Sequence, residues 1–281
     1  MSTSPTLAQK LTAEAIGTAI LVFIGAGSVP LTVFLTGNNP FGSAELSTIS
    51  FAFAFAIFAA VYSVGHISGA HINPAVTIAL YATRKIDATT AVTYIGAQLV
   101  GAFLGAALTL VILSGNNPAA LGLGAVSVNA GAGNLIGLAA EIIGTAILVF
   151  TVFGAAVDGR APAGFAGIVI GFIVYGIIIL VGPITGAALN PARQIGPEVL
   201  GGIIGATTHF DQLWVYIVGP IALRVWIPAG WLDYTAFALV LIGVVGMVAH
   251  FWLQEYGGMA WSAVTVGTGI CLLYTSPSPR D

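Results

Sequence analysis

Ser68-Gly69-Ala70-His71-Ile72-Asn73-Pro74-Ala75 returns further along the chain as Thr185-Gly186-Ala187-Ala188-Leu189-Asn190-Pro191-Ala192. Asn is a strong N-cap, and Pro suits the first helical position because it has no N–H to leave unpaired there and its φ is already helical. Each Asn-Pro-Ala therefore starts a helix. The apolar stretches behind them, near 74–83 and 191–200, are about ten residues each. At ~1.5 Å per residue they reach roughly halfway across a ~30 Å hydrocarbon core, so both read as half-helices.

Working outward, a second motif recurs in the same order. Ala13-Glu14-x-Ile16-Gly17-Thr18-Ala19-Ile20-Leu21-Val22-Phe23 returns as Ala140-Glu141-x-Ile143-Gly144-Thr145-Ala146-Ile147-Leu148-Val149-Phe150. Two unrelated motifs repeated in one order identify an internal duplication, residues 1–130 and 131–222. Apolar runs long enough to cross a membrane fall near 11–33, 48–66, 89–113, 137–157, 164–182 and from 213 onward, with Gly/Asn/Pro-rich loops at 37–45 and 114–134. Three full spans separate the starts of the two copies. An odd number places them in opposite orientations, the pattern of inverted repeats.

Composition agrees. Asp, Glu, Lys and Arg make up 6% of the 281 residues, against roughly a quarter in a soluble domain, and mean hydropathy is +1.02. The fold class is an all-α membrane protein. Lys10, Arg84, Lys85 and Arg160 all fall on one side of this topology, while 34–47 and 114–136 on the other side lack Lys and Arg. The positive-inside rule makes the N-terminus cytoplasmic and the chain a multi-pass protein of the cell membrane. The first apolar run is too long for a signal-peptide core and reads as a retained span. A net charge of −3 without a basic patch argues against nucleic acid, and the single Cys271 against a disulfide framework or a Cys-based metal site. No metal or other cofactor is expected.

The non-helical lead-ins, 66–72 and 183–189, can exist at membrane depth only where they line a cavity or are buried in protein. Two half-helices of opposite heading bring their N-termini together, each carrying about half a positive charge. Such a meeting point disfavours cations and protons. The amides of Asn73 and Asn190 are expected to donate to a passing water oxygen, and the lead-in carbonyls of Gly69, Ala70, His71, Ile72, Gly186, Ala188 and Leu189 to accept from neighbouring waters. A third tripeptide, Asn117-Pro118-Ala119, lacks the Ser/Thr-Gly-Ala-x-x prefix and a long apolar run, and reads as a plain turn.

In both Asn-Pro-Ala motifs, in Arg193 after the second and in both Ala-Glu-x-Ile-Gly-Thr openings, the chain resembles the major intrinsic protein family of aquaporins and glycerol facilitators. The stretch Ala156-Val157-Asp158-Gly159-Arg160-Ala161-Pro162 to Gly167, with Ile178, looks most like the archaeal-type members. Over about residues 7–222 the resemblance implies six spans and two half-helices, a homotetramer with one pore per subunit, and passive flow of water and small neutral solutes across the bilayer. It also implies a selectivity filter of Phe53, Ile178, Ala187 and Arg193. Arg193 fits on its own terms, since a charge deep in a membrane usually faces a water-filled path.

Water-selective members usually carry His where this chain has Ile178, and Ala187 is small, so the filter should be wider and more apolar than a strict water filter. Glycerol facilitators carry Asp after the arginine and a larger aromatic at the Phe53 position, where this chain has Gln194 and Phe. The expected cargo is water, with glycerol or dissolved gases second. Glu14 and Glu141 are intramembrane carboxylates, and the resemblance implies that each accepts hydrogen bonds from the lead-in of its own repeat. His66 and His71 flank the first lead-in, where His71 is read as offering a backbone carbonyl. Gly101-x-x-x-Gly105 and Gly167-x-x-x-Gly171 are small-residue packing faces, within a subunit or between subunits.

Two other classes make different demands. An ion-coupled transporter with inverted repeats needs an ion or proton site, and the only candidates are the paired Glu14 and Glu141. An intramembrane enzyme needs a nucleophile with its base or a metal cluster, and the four His and one Cys form no such constellation. After Gly219-Pro220-Ile221-Ala222 the chain reads Leu223-Arg224-Val225-Trp226-Ile227-Pro228, where a charge and a proline would interrupt a sixth span. The stretch 223–270 therefore reads as chimeric or frame-shifted, and 271–281 resembles a translated sequencing adapter.

Overall fold

A computed structural model of the chain describes residues 4–37 and 39–222. The divergent stretch 223–281 lies outside the described residues. All described regular structure is helical: α1 (Leu7–Thr36), α2 (Ser43–Ser68), α3 (Pro74–Ala82), α4 (Ala88–Leu113), α5 (Pro118–Leu121), α6 (Gly133–Val157), α7 (Ala166–Thr185), α8 (Pro191–Ile203) and α9 (Leu213–Ile221). Five of these, α1, α2, α4, α6 and α7, are long and apolar enough to cross a membrane. The expected sixth span is described only as α9. Setting aside the one-turn α5, the order long, long, short occurs twice.

Local chemistry sets the element boundaries. A capping box opens α1, with Gln9 N–H on the Thr6 hydroxyl and Thr6 N–H returned to the Gln9 side chain at 2.8 Å. Within α1 the turn Leu21–Ala26 is π-helical, and α-helix resumes at Ser28–Thr36. Asp87 caps α4 through the Thr90 N–H at 2.8 Å. The loop expected at 37–45 ends sooner, because Glu45 caps α2 by accepting the Gly42 N–H at 2.8 Å and the helix starts at Ser43.

Close approaches hold the bundle together. A Cβ at Gly101 would stand 2.2 Å from the Ala15 carbonyl oxygen, so α4 lies directly on the backbone of α1. A Cβ at Gly171 would stand 2.2 Å from the Phe58 ring and 2.8 Å from the Ala54 carbonyl oxygen, so α7 lies equally close on α2. Both small-residue faces are thus used inside one subunit. Outward faces are apolar, with Leu180 and Val92 at least 70% exposed, whereas Glu14, Gln98, Glu141, Arg193 and Gln194 are each at most 1% exposed. Polar groups inside and hydrocarbon outside is the arrangement suited to a lipid solvent.

Candidate functional site

The two lead-ins are built alike. Gly69 (φ +91°), Ala70 (+47°) and Ile72 (+45°) are left-handed, and so are Gly186 (+74°), Ala187 (+49°) and Leu189 (+55°). For a non-glycine residue, above all a β-branched one such as Ile72, this backbone is strained and persists only where its surroundings impose it. The imposing group is a buried carboxylate. Glu14 Oε1 accepts the Ser68 hydroxyl at 2.7 Å and the His71 N–H at 2.9 Å, and its Oε2 accepts the Ile72 N–H at 2.7 Å. Glu141 accepts Thr185, Ala188 and Leu189 in the same way at 2.6, 2.9 and 2.8 Å.

The glycine three residues after each glutamate completes the cradle. A Cβ at Gly17 would meet Ile72 Cγ2 at 2.7 Å, and one at Gly144 would meet Leu189 Cδ2 at 2.7 Å. Ala-Glu-x-Ile-Gly therefore holds a left-handed peptide with its carboxylate and makes room for the side chain that peptide carries. Tyr94 and Tyr216 finish the pair by donating to the Ser68 and Thr185 carbonyls, both at 2.9 Å.

Each lead-in delivers its asparagine to a helix start. Asn73 and Asn190 are extended, at φ −156° and −150°, and their side-chain oxygens cap Ala75 N–H and Ala192 N–H at 2.8 and 3.0 Å. Asn190 also takes the Arg193 N–H at 3.2 Å. The amide nitrogens do not simply face a water path as expected. Asn73 Nδ2 donates to the Leu189 carbonyl at 2.9 Å and Asn190 Nδ2 to the Ile72 carbonyl at 2.8 Å, so one N–H of each ties the two repeats together. The second N–H of each amide remains for other partners. Asn117 differs: at φ +52° it makes no side-chain cap, and the expected plain turn is the single helical turn of α5.

Two cavities meet at this junction. The larger, about 400 Å³, is lined on one side by His71, Lys85 and Ile86 and extends to Asn73 and Asn190. The smaller, about 40 Å³, is bordered by Phe53, Ile178, Ala187 and Arg193 together with both asparagines. Liquid water occupies about 30 Å³ per molecule, so the smaller space is on the scale of one water molecule. Arg193 is 1% exposed, its guanidinium carbon lies 5.1 Å from the Phe53 ring centre, and Nη1 donates to the Gly124 carbonyl at 3.0 Å. Its Nε and Nη2 have no partner among the described residues. Buried donors left unpaired are costly, so these two are free to donate to a polar partner in the narrow cavity.

The chain matches the Major intrinsic protein family over residues 1–223. It belongs to that family. Aquaporin AqpM of Methanothermobacter marburgensis is 43% identical over 227 residues, covering 76% of this chain and 92% of the relative. A probable aquaporin AqpM of Archaeoglobus fulgidus is 43% identical over 243 residues, covering 81% and 96%. The X-ray structure of the aquaglyceroporin from Plasmodium falciparum superposes with a TM-score of 0.68 at 28% identity, covering 78% of this chain and 93% of that one. The resemblance to archaeal-type members is borne out, and this family member is an integral membrane channel with the aquaporin fold.

Sequence reasoning gathered Phe53, Ile178, Ala187 and Arg193 by register, and the structure brings them around one cavity. It missed several contributors, among them Tyr94 and Tyr216. Ser68 and Thr185 stood at the head of the quoted repeat, and their shared hydroxyl was the available signal. Gly25, where a Cβ would fall 2.5 Å from the Phe53 ring, and the Gly124 carbonyl carry no such mark. The loop expected at 114–134 folds back onto the end of α7 and onto Arg193, with Asn129 N–H on the Ile184 carbonyl at 2.8 Å and the Gly124 carbonyl on Nη1.

Proposed function

We propose that this family member is a passive channel that conducts water in single file, admits glycerol or dissolved gases as secondary cargo, and excludes protons and ions without acting as an enzyme. The observation that carries this reading is the reciprocal pair Asn73 to Leu189 carbonyl and Asn190 to Ile72 carbonyl, because it puts two helix N-termini at one point, on the border shared by the two cavities. Two half-charges of the same sign there repel a cation, while a neutral solute finds N–H donors and exposed carbonyls. Phe53, Ile178, Ala187 and Arg193 form the selectivity filter in this reading, Glu14 and Glu141 anchor the lead-ins, and residues 1–130 and 131–222 are the inverted repeats. The N-terminus faces the cytoplasm with Lys10, Arg84, Lys85 and Arg160, and the subunits assemble as homotetramers in the cell membrane.

Stopped-flow osmotic measurements on proteoliposomes test it. Water flux should exceed glycerol flux, with no saturation and no dependence on an ion gradient; saturable, gradient-coupled uptake would indicate a transporter. Ile178→His narrows the constriction and adds a polar ring, so it should lower glycerol flux several-fold more than water flux. Equal loss of both would remove Ile178 from the filter.

A further inference from the structure

Arg193 Nη1 rests on the Gly124 carbonyl, and the residue next to it holds the loop that supplies that carbonyl. Gln194 is fully buried. Its Oε1 accepts the Val126 N–H at 3.1 Å and lies 3.4 Å from Arg193 Nη1, while its Nε2 donates to the Val126 carbonyl at 2.8 Å and faces Glu198 Oε2 at 3.5 Å. One side-chain amide thus pairs with both polar groups of a single residue, as a strand would. Reversing it would set N–H against N–H and guanidinium, and oxygen against two acceptors, so the surroundings dictate its orientation. Glu198 is held in turn by the backbone N–H of His209.

The clamped segment is packed at two points beside the residues that line the narrow cavity. Gly124, at φ +91°, lies against α1, where a Cβ would fall 2.1 Å from the Ala26 carbonyl oxygen. Val126 packs on Gly186, where a Cβ would fall 2.4 Å from the valine side chain, and the residue after Gly186 is Ala187. The same loop therefore presents an acceptor to Arg193 and backs the lead-in wall beside it. The hydrogen bonds that tie segment 124–126 to α8 come from Arg193 and Gln194.

We propose that Gln194 is a positioning residue for solute selectivity: by clamping Val126 it fixes both the Gly124 carbonyl that orients Arg193 and the backing of Ala187. This rests on the reading of Arg193 and Ala187 as the constriction. Without the clamp the aperture is less sharply defined, and the larger solute gains more than water does.

The test measures glycerol and water permeability of the full-length protein in proteoliposomes for wild type, Gln194→Met, Gln194→Glu and Arg193→Ala. The ratio of the two fluxes is independent of how much protein is inserted, whereas a merely structural role would scale both together. Gln194→Met keeps the volume and loses the clamp, and should raise the glycerol-to-water ratio roughly three- to tenfold, as expected for losing one or two hydrogen bonds. Gln194→Glu keeps the acceptor for Val126 N–H and loses the donor to its carbonyl, and should fall between wild type and the methionine variant. If the methionine variant does not assemble, the glutamate variant decides: a raised ratio supports the proposal and a wild-type ratio overturns it. Wild-type ratios in both Gln194 variants alongside a changed ratio in Arg193→Ala would overturn the role of Gln194 alone. An unchanged ratio in Arg193→Ala would overturn the constriction itself, and this proposal with it.

Discussion

The first and second lead-ins agree in every backbone feature and differ in what surrounds them. Glutamate contacts, left-handed residues, tyrosine props and asparagine crossings match to within about 0.1 Å in their hydrogen-bond lengths. The first repeat adds Gln98, whose amide bridges Glu14 and Thr77 at 2.8 Å each, and His71, which meets Thr77 at 3.2 Å, beside the wide cavity. The second adds Arg193, Gln194 and the folded-back loop beside the narrow one. Duplication supplied a scaffold that bends backbone into a pore wall. The wide and the narrow cavity lie beside side chains that the two copies do not share.

The strongest way to break the comparison is to remove one anchor at a time. Glu14→Leu and Glu141→Leu each strand two backbone N–H groups and a hydroxyl around a strained peptide, at roughly 1–3 kcal/mol per group. Against a typical total of about 5–15 kcal/mol, either should abolish monodisperse protein in detergent, as read by size-exclusion chromatography. The glutamine versions sharpen the contrast. Glu14→Gln should lower the melting temperature more than Glu141→Gln, because its new NH₂ would oppose both the Ile72 N–H and the Gln98 amide, whereas Glu141 has no partner corresponding to Gln98 among the described residues. Equal losses would mean that Gln98 does not distinguish the anchors.

Smaller effects are expected from the three Asn-Pro-Ala copies. Asn73→Ala and Asn190→Ala each lose a helix cap and a cross-repeat bond and should each cost about 1–3 kcal/mol. Asn117→Ala loses no cap and should stay within about 0.5 kcal/mol. Thermal unfolding of the three variants checks this, and a large cost at Asn117 would undo the distinction drawn from backbone geometry.

The smallest effect lies outside the bundle. The Thr90 backbone N–H, followed by its hydroxyl, holds the exposed Asp87 carboxyl below its ordinary range. A depressed carboxyl stabilises the fold fully above its unfolded value of about 4 and loses that contribution as pH falls through the lower folded value. Asp87→Asn keeps an N-cap and removes the titration. The wild-type melting temperature should therefore fall slightly more below pH 4 than that of the variant, and identical acid profiles would show that the cap does not depend on charge.

The spans, the half-helices and the duplication were legible because a lipid solvent admits few solutions: apolar runs of fixed length, and caps where a helix must begin inside. The tail beyond 222 lies outside the described residues. Within the site, Glu14, Glu141 and Arg193 were marked by the cost of charge at membrane depth. Gln98 was not marked, and Gln194 was marked only by its place after Arg193, since a neutral amide in an apolar helix has many uses and sequence does not reveal its partner.

Sequence alone determined the class, the repeat and the helix starts, for these depend on hydropathy over neighbouring residues and on capping chemistry within one turn. Tertiary structure alone decided that Asn73 and Asn190 spend an N–H on each other's lead-ins, that both glycine faces pack within one subunit, and that a loop returns to hold Arg193. Those contacts join residues far apart in the chain. Their geometry follows from how close two helix backbones can come, which no local pattern encodes.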